Sequence, residues 1–358
     1  MTLDRRALMA AAAALLTAER VKAQENPGEP TVRALRPIGD PAMQALPQVP
    51  TQPPVRETVQ ALPKSAPGSE LEVIDLWPGL PPGGGGPFRS DYRFDETLGG
   101  VITGVTRPCL MVVRPERPNG GAFLVAAGGG YRRIDISGEG LPVAAWLAKA
   151  GFHVFVLIYR LPSEKWGDGP DAPRQDAQRA VRLIRANAAQ YGIDSERIGL
   201  LGFSAGGHLM GETAVDSEVD LYDDVDEADQ QSAHVALAGL IYPIITLKAP
   251  FDRTISSRVV LVGENPSEAQ RRAYSVDSQV TKRAPPIFLA QAADDPVGTV
   301  DHPLRMYNAL RAVGVPVEMH LFERGGHGFG LGVPGMPAAA WANLFLSWIR
   351  ARGFMRNV

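Results

Sequence analysis

Between residues 71 and 323 the chain carries eight short apolar runs rich in Val, Ile, Leu and Phe. They are LEVIDLW (71–77), CLMVVRP (109–115), AFLVAA (122–127), HVFVLIY (153–159), RIGLLGF (197–203), VALAGLIYP (235–243), PIFLAQAA (286–293) and VEMHLFE (317–323). Several are apolar throughout rather than alternating, the pattern of strands covered on both faces. Helical patterns separate the later runs. DAQRAVRLIRANAAQY places Ala177, Val181, Ile184, Ala188 and Tyr191 on one stripe, with Arg179, Arg182 and Arg185 off it. DHPLRMYNALRAVG and AAAWANLFLSWIRARG behave similarly, and each ends near a glycine. Strands alternating with helices predict an α/β fold, a mostly parallel eight-stranded sheet with helices on both faces.

This pattern occupies about residues 69–358, long enough for one large domain. Residues 24–68 read differently: ten prolines and no aromatic residue, a composition that cannot bury enough apolar surface to offset its ordering entropy. They are expected to form a disordered linker. Residues 1–23 combine Arg5 and Arg6, an apolar stretch from Ala7 to Ala18, and a small-residue site at Val21-Lys22-Ala23. This resembles a twin-arginine export signal, with an apolar stretch too short to span a bilayer comfortably. It implies the Tat machinery as a partner, a periplasmic or secreted protein, and no membrane anchor after signal removal. The net charge of −3 offers no basic field for nucleic acid, and the single cysteine, Cys109, excludes an intramolecular disulfide and a cysteine metal cluster.

The fifth run ends in GFSAGGHL, Gly202 to Leu209. A buried strand must turn sharply into a helix there. Gly202 and Gly206 stand two positions either side of Ser204, where side chains would collide as strand and helix backbones cross. The turn leaves Ser204 with its hydroxyl above the sheet, a nucleophile elbow.

A serine hydroxyl needs a base, and the base an orienting acid, in the order Ser, Asp or Glu, His. Six histidines are available. His153 and His320 lie in strands, His208 inside the helix after the serine, His234 too early in the order, and His302 at a helix start. His327, in ERGGHGFGLG between the last strand and the last helix, sits on a glycine loop able to reach the sheet rim. The acid is expected after the seventh run, in FLAQAADDPVG. Asp294 is favoured by the pattern D-x-x-V, with Val297 packing back; Asp295 serves if the loop shifts by one residue.

The transition state of ester hydrolysis needs donors for an oxyanion. VAAGGGYRR, Val125 to Arg133, follows the third run, and the backbone N–H groups of Gly129, Gly130 and Ala205 are the candidate donors, each worth roughly 3–4 kcal/mol. Ala127 stands where many such loops carry a histidine. Tyr131 and Arg132 are candidate substrate-binding residues at the pocket wall. Residues 216–232 hold eight carboxylates without the spacing of a calcium loop and read as a solvated loop near the site mouth.

Together AAGGGYRR, GIDSERIGLLGFSAGGHL, PPIFLAQAADDPV and RGGHGFGL give the chain a resemblance to the α/β-hydrolases. More narrowly, it is similar to bacterial acetylesterases of the acetyl-xylan and feruloyl esterase type, relatives of prolyl oligopeptidase hydrolases. The resemblance implies hydrolysis of short acyl esters, acetyl above all, on plant polysaccharide fragments through Ser204, Asp294 and His327, without cofactor or metal. A prolyl oligopeptidase-type peptidase and a non-catalytic carbohydrate-binding protein on the same scaffold are the alternative readings.

Overall fold

The computed structural model describes residues 72–87, 93–95, 100–251 and 255–356. The export signal and proline-rich linker expected at 1–23 and 24–68 lie outside the described residues. The strands, in chain order, are β1 (Glu72–Asp75), β2 (Arg93–Asp95), β3 (Val101–Thr103), β4 (Cys109–Val113), β5 (Ala122–Ala126), β6 (Ile134–Asp135), β7 (His153–Ile158), β8 (Ile198–Phe203), β9 (Leu237–Ile241), β10 (Ile287–Ala292) and β11 (Val317–Phe322). The helices are α1 (Leu141–Lys149), α2 (Ala172–Ala186), α3 (Ala188–Tyr191), α4 (Ser204–Val215), α5 (Ile255–Val262), α6 (Glu268–Ala273), α7 (Val276–Gln279), α8 (Asp301–Ala312) and α9 (Trp341–Ala351).

Eight strands form one sheet in the order β1-β4-β7-β5-β8-β9-β10-β11. Only the β1–β4 and β4–β7 pairs in it are antiparallel. Each of the eight apolar runs supplies one of these strands. β5, β7, β8, β9 and β10 are buried at every position, as strands covered on both faces must be. At the sheet edge, β1 alternates half-buried and exposed residues. A second sheet, β2-β3-β6, pairs two- and three-residue strands that carry too little pattern to be read from sequence.

The helix expected over 176–191 begins earlier and divides into α2 and α3 at Asn187, whose side-chain amide donates to the Leu183 carbonyl. Two of the three arginines off its apolar stripe are buried, and Arg185 is half-buried. Arg179 and Arg182 are 1% and 9% exposed. Arg179 pairs with Asp226 and, at 2.8 Å, with Asp229; Arg174 pairs with Asp216 at 3.0 Å. The acidic segment 216–232 is tied to α2 through Asp216, Asp226 and the buried Asp229, while Glu218, Asp220, Asp223, Asp224 and Glu227 are exposed, as a solvated loop requires.

Candidate active site

The β8–α4 junction shows why glycine is required around Ser204. A Cβ on Gly202 would lie 2.3 Å from the Gly206 carbonyl oxygen, and one on Gly206 would lie 2.2 Å from that of Ala126 on β5. No side chain fits either gap. Ser204 itself has φ +52°, the left-handed region, which costs a non-glycine residue about 1–3 kcal/mol. Tyr131 (φ +59°) and Tyr242 (φ +37°) are strained in the same way and flank the same site. α4, buried on every side, holds the turn from below.

From Ser204 a chain of hydrogen bonds runs through two loops. Ser204 Oγ lies 2.7 Å from His327 Nε2, and His327 Nδ1 lies 2.7 Å from Asp295 Oδ2. A carboxylate can only accept, so Nδ1 carries the proton and the Nε2 lone pair faces the serine hydroxyl. Asp295 is fixed on all sides. Its Oδ1 accepts from the N–H groups of Val297 (2.7 Å) and Gly298 (2.9 Å), and its Oδ2 accepts also from Gln291 Nε2 (2.8 Å). Its side chain is completely buried, whereas that of His327 is 18% exposed and open to an incoming group.

The glycine loop after β5 lies directly against the serine: a Cβ on Gly128 would be 2.7 Å from Ser204 Cβ. Gly128 is held at both ends of its peptide unit, its N–H donating to Glu139 Oε2 (2.5 Å) and its carbonyl accepting from the Asp135 N–H (2.9 Å). The Ala127 carbonyl accepts from the Tyr159 hydroxyl at 2.8 Å. Among the described residues, no hydrogen bond takes the N–H of Gly129 or Gly130, while the Gly129 carbonyl accepts from Arg132 N–H. Ala205 lies in the first turn of α4, where backbone N–H groups have no partner within the helix. Glu139 also accepts from the Tyr242 hydroxyl at 2.8 Å, and burial pushes its carboxyl up to about 7, against the opposing pull of these two hydrogen bonds.

The sheet order, the elbow and the loop placement are those of an α/β-hydrolase, and the BD-FAE family profile matches residues 120–310, more than half of the chain. The chain belongs to the BD-FAE family. Its sequence is 30% identical over 225 residues to an acetylxylan esterase of Xylanibacter ruminicola, covering 61% of this chain and 43% of that protein. It is 35% identical over 210 residues to endo-1,4-beta-xylanase B of Butyrivibrio fibrisolvens, covering 58% of this chain and 32% of the other. The chain thus spans less than half the length of either relative. The crystal structure of an acetyl ester-xyloside bifunctional hydrolase from Caldicellulosiruptor lactoaceticus superimposes with a TM-score of 0.66 at 31% identity, covering 82% of this chain and all of that one.

Within this BD-FAE chain the structure brings Ser204 and His327 together and corrects the choice of acid. Asp294 does not meet His327. It is exposed, and its Oδ1 accepts from the N–H groups of Gly325 (2.9 Å) and Gly326 (2.8 Å), anchoring the loop that carries the histidine. The D-x-x-V argument fails because Val297 does not pack inward. Its side chain is 38% exposed, and its N–H bonds Asp295 instead. Tyr131 is likewise not a pocket wall: it is fully buried, and its hydroxyl meets His208 Nδ1 at 2.8 Å beneath the elbow. Arg132 stays exposed. Gln291, Glu139 and Tyr242 were not legible in the sequence. Tyr242 lies beside the His327 ring, centroids 5.1 Å apart, and its hydroxyl accepts from the Gly330 N–H at 3.0 Å.

Proposed function

We propose that this BD-FAE protein is an exported serine carboxylesterase that removes short acyl groups, acetyl foremost, from plant polysaccharide fragments. One observation carries the reading: the unbroken contact from Ser204 Oγ through His327 to Asp295, 2.7 Å at each step. In the first half-reaction His327 Nε2 takes the hydroxyl proton as Oγ attacks the ester carbonyl. Asp295 holds the imidazolium that forms, and the developing oxyanion draws on the N–H groups of Gly129, Gly130 and Ala205. Collapse expels the alcohol, protonated by His327, and leaves an acyl-serine. Water, deprotonated by the same imidazole, then releases the acid. The choice of acetyl and xylan-type substrates is supported by the relatives named acetylxylan esterase and acetyl ester-xyloside hydrolase. Export is supported by the residues at the N-terminus, and no helix among the described residues is long and apolar enough to cross a membrane.

The test is a panel of p-nitrophenyl esters of rising chain length, acetylated xylo-oligosaccharides and a prolyl-peptide amide, run on the wild-type chain and Ser204→Ala. The expected result is highest kcat/KM on acetyl esters, release of acetate from the oligosaccharides, and a loss on the order of 10⁴–10⁶-fold in the variant. Preference for the amide, or turnover that survives Ser204→Ala, defeats the assignment.

A further inference from the structure

Oxyanion donors act only if the loop carrying them is held where charge develops. In this chain the position preceding the three glycines is Ala127, which has no side chain able to orient the loop. Glu139 occupies that role from elsewhere in the sequence. It sits on a single π-helical turn, Ile136–Gly140, and is only 4% exposed. Its two oxygens are divided between two sides of the site. Oε2 accepts from Gly128 N–H at 2.5 Å, one peptide before Gly129. Oε1 accepts from the Tyr242 hydroxyl at 2.8 Å, which in turn accepts from Gly330 N–H at 3.0 Å, in the loop that carries His327. The Gly330 carbonyl accepts from Trp341 Nε1 at 2.9 Å, so the far end of this chain of bonds is anchored in α9.

No lysine or arginine pairs with Glu139 among the described residues. A buried carboxyl without a cation opposes folding. Its presence against the loop therefore needs a reason other than stability. We infer that Glu139 is the positioning residue of the oxyanion loop, its carboxylate joining Gly128 on one side to Tyr242 and the His327 loop on the other. The inference rests on the serine-esterase reading above.

The ionised form is the one that fits. A carboxylate accepts both bonds, whereas a protonated carboxyl turns one oxygen into a donor facing either a peptide N–H or a hydroxyl that already accepts from Gly330. The groups that face it are Asp135, which opposes ionisation, His327, which favours it when charged, and the hydroxyls of Tyr159 and Tyr242. Activity should then require Glu139 in its ionised form, a deprotonation on the acid side.

The experiment compares wild type, Glu139→Gln, Glu139→Ala and Ser204→Ala, as full chains, on p-nitrophenyl acetate from acid to neutral pH. Glu139→Ala is expected to lower kcat on the order of 10²-fold with KM within about threefold, the loss seen when an oxyanion donor is removed. Glu139→Gln, whose amide oxygen still accepts from Gly128 but whose NH₂ faces the Tyr242 hydroxyl as a protonated carboxyl would, is expected to show at neutral pH the lowered kcat that wild type reaches only when Glu139 is protonated. Its acid limb of kcat/KM should report one ionisation fewer than that of wild type. Should Glu139→Ala fail to fold, the limb in Glu139→Gln decides. Wild-type kcat in Glu139→Ala, or an acid limb unchanged in Glu139→Gln, overturns the role of Glu139 while leaving the esterase reading intact. Turnover surviving in Ser204→Ala would instead remove the esterase reading, and this inference with it.

Discussion

Replacing Asp295 by asparagine keeps the size of the side chain and removes its charge. Four donors converge on that carboxylate: Val297 and Gly298 N–H on Oδ1, His327 Nδ1 and Gln291 Nε2 on Oδ2. An amide can accept at only one of the two positions. With its oxygen toward the peptide N–H groups, its NH₂ faces Nδ1–H and the Gln291 amide. Turned over, its NH₂ faces two peptide N–H groups. The first arrangement is relieved if His327 moves its proton to Nε2 and accepts the amide at Nδ1. The proton then points at Ser204 Oγ, and the base is lost. The expected cost is about 10⁴-fold in kcat, or about 5.5 kcal/mol at the transition state, with KM little changed. Asp294→Asn is the control. Its Oδ1 can still accept from Gly325 and Gly326 N–H on the exposed side of the loop, so kcat should stay within about threefold of wild type. Steady-state kinetics on p-nitrophenyl acetate at neutral pH separate the two. A loss in Asp294→Asn equal to or greater than that in Asp295→Asn would refute the reasoning, because it would make the exposed carboxylate the partner of the histidine.

Two further outcomes follow from buried groups beside the site. Tyr131→Phe removes the 2.8 Å hydrogen bond to a fully buried His208 Nδ1, whose other neighbour is Glu212 Oε2 at 3.3 Å, and should cost about 0.5–1.5 kcal/mol in urea unfolding, with KM unchanged across acetyl, propionyl and butyryl esters; a shift in acyl preference without loss of stability would return Tyr131 to the pocket wall. Glu139 ionises at about 7 in the fold against 4.5 unfolded, so the folded state holds its proton more tightly. Its contribution is fully present below pH 4.5 and is lost as pH rises through 7, a difference of about 3 kcal/mol. Urea midpoints at pH 5 and pH 8 should therefore fall further in wild type than in Glu139→Gln, and parallel pH dependences in the two proteins would contradict the burial argument.

What could be read before folding and what could not divide along a physical line. The five central strands of the large sheet were legible because strands covered on both faces have only apolar positions to fill, and β1, β4 and β11 because their runs stay rich in Val, Ile, Leu and Phe even where one face is partly open. The elbow was legible because Gly202 and Gly206 answer a steric demand made within a few residues. The burial of Arg179 and Arg182 on α2 was not legible because their partners, Asp226 and Asp229, come from a distant loop, and local periodicity carries no record of which polar stripe another segment will cover. Asp294 and Asp295 are adjacent and chemically identical. The turn after Ala292 sends one outward to the Gly325 and Gly326 peptides and the other inward to His327.

By itself, then, the sequence determined the α/β layering, the sharp turn that exposes Ser204, and the glycine loops that bring backbone to it, because burial and steric crowding act on neighbouring residues. Only the tertiary structure decided which carboxylate meets the imidazole and that Glu139 reaches both Gly128 and Tyr242, the latter 103 residues away. A hydrogen bond is made or lost over a few tenths of an ångström, and positions that fine are set by the packing of the whole sheet and its helices.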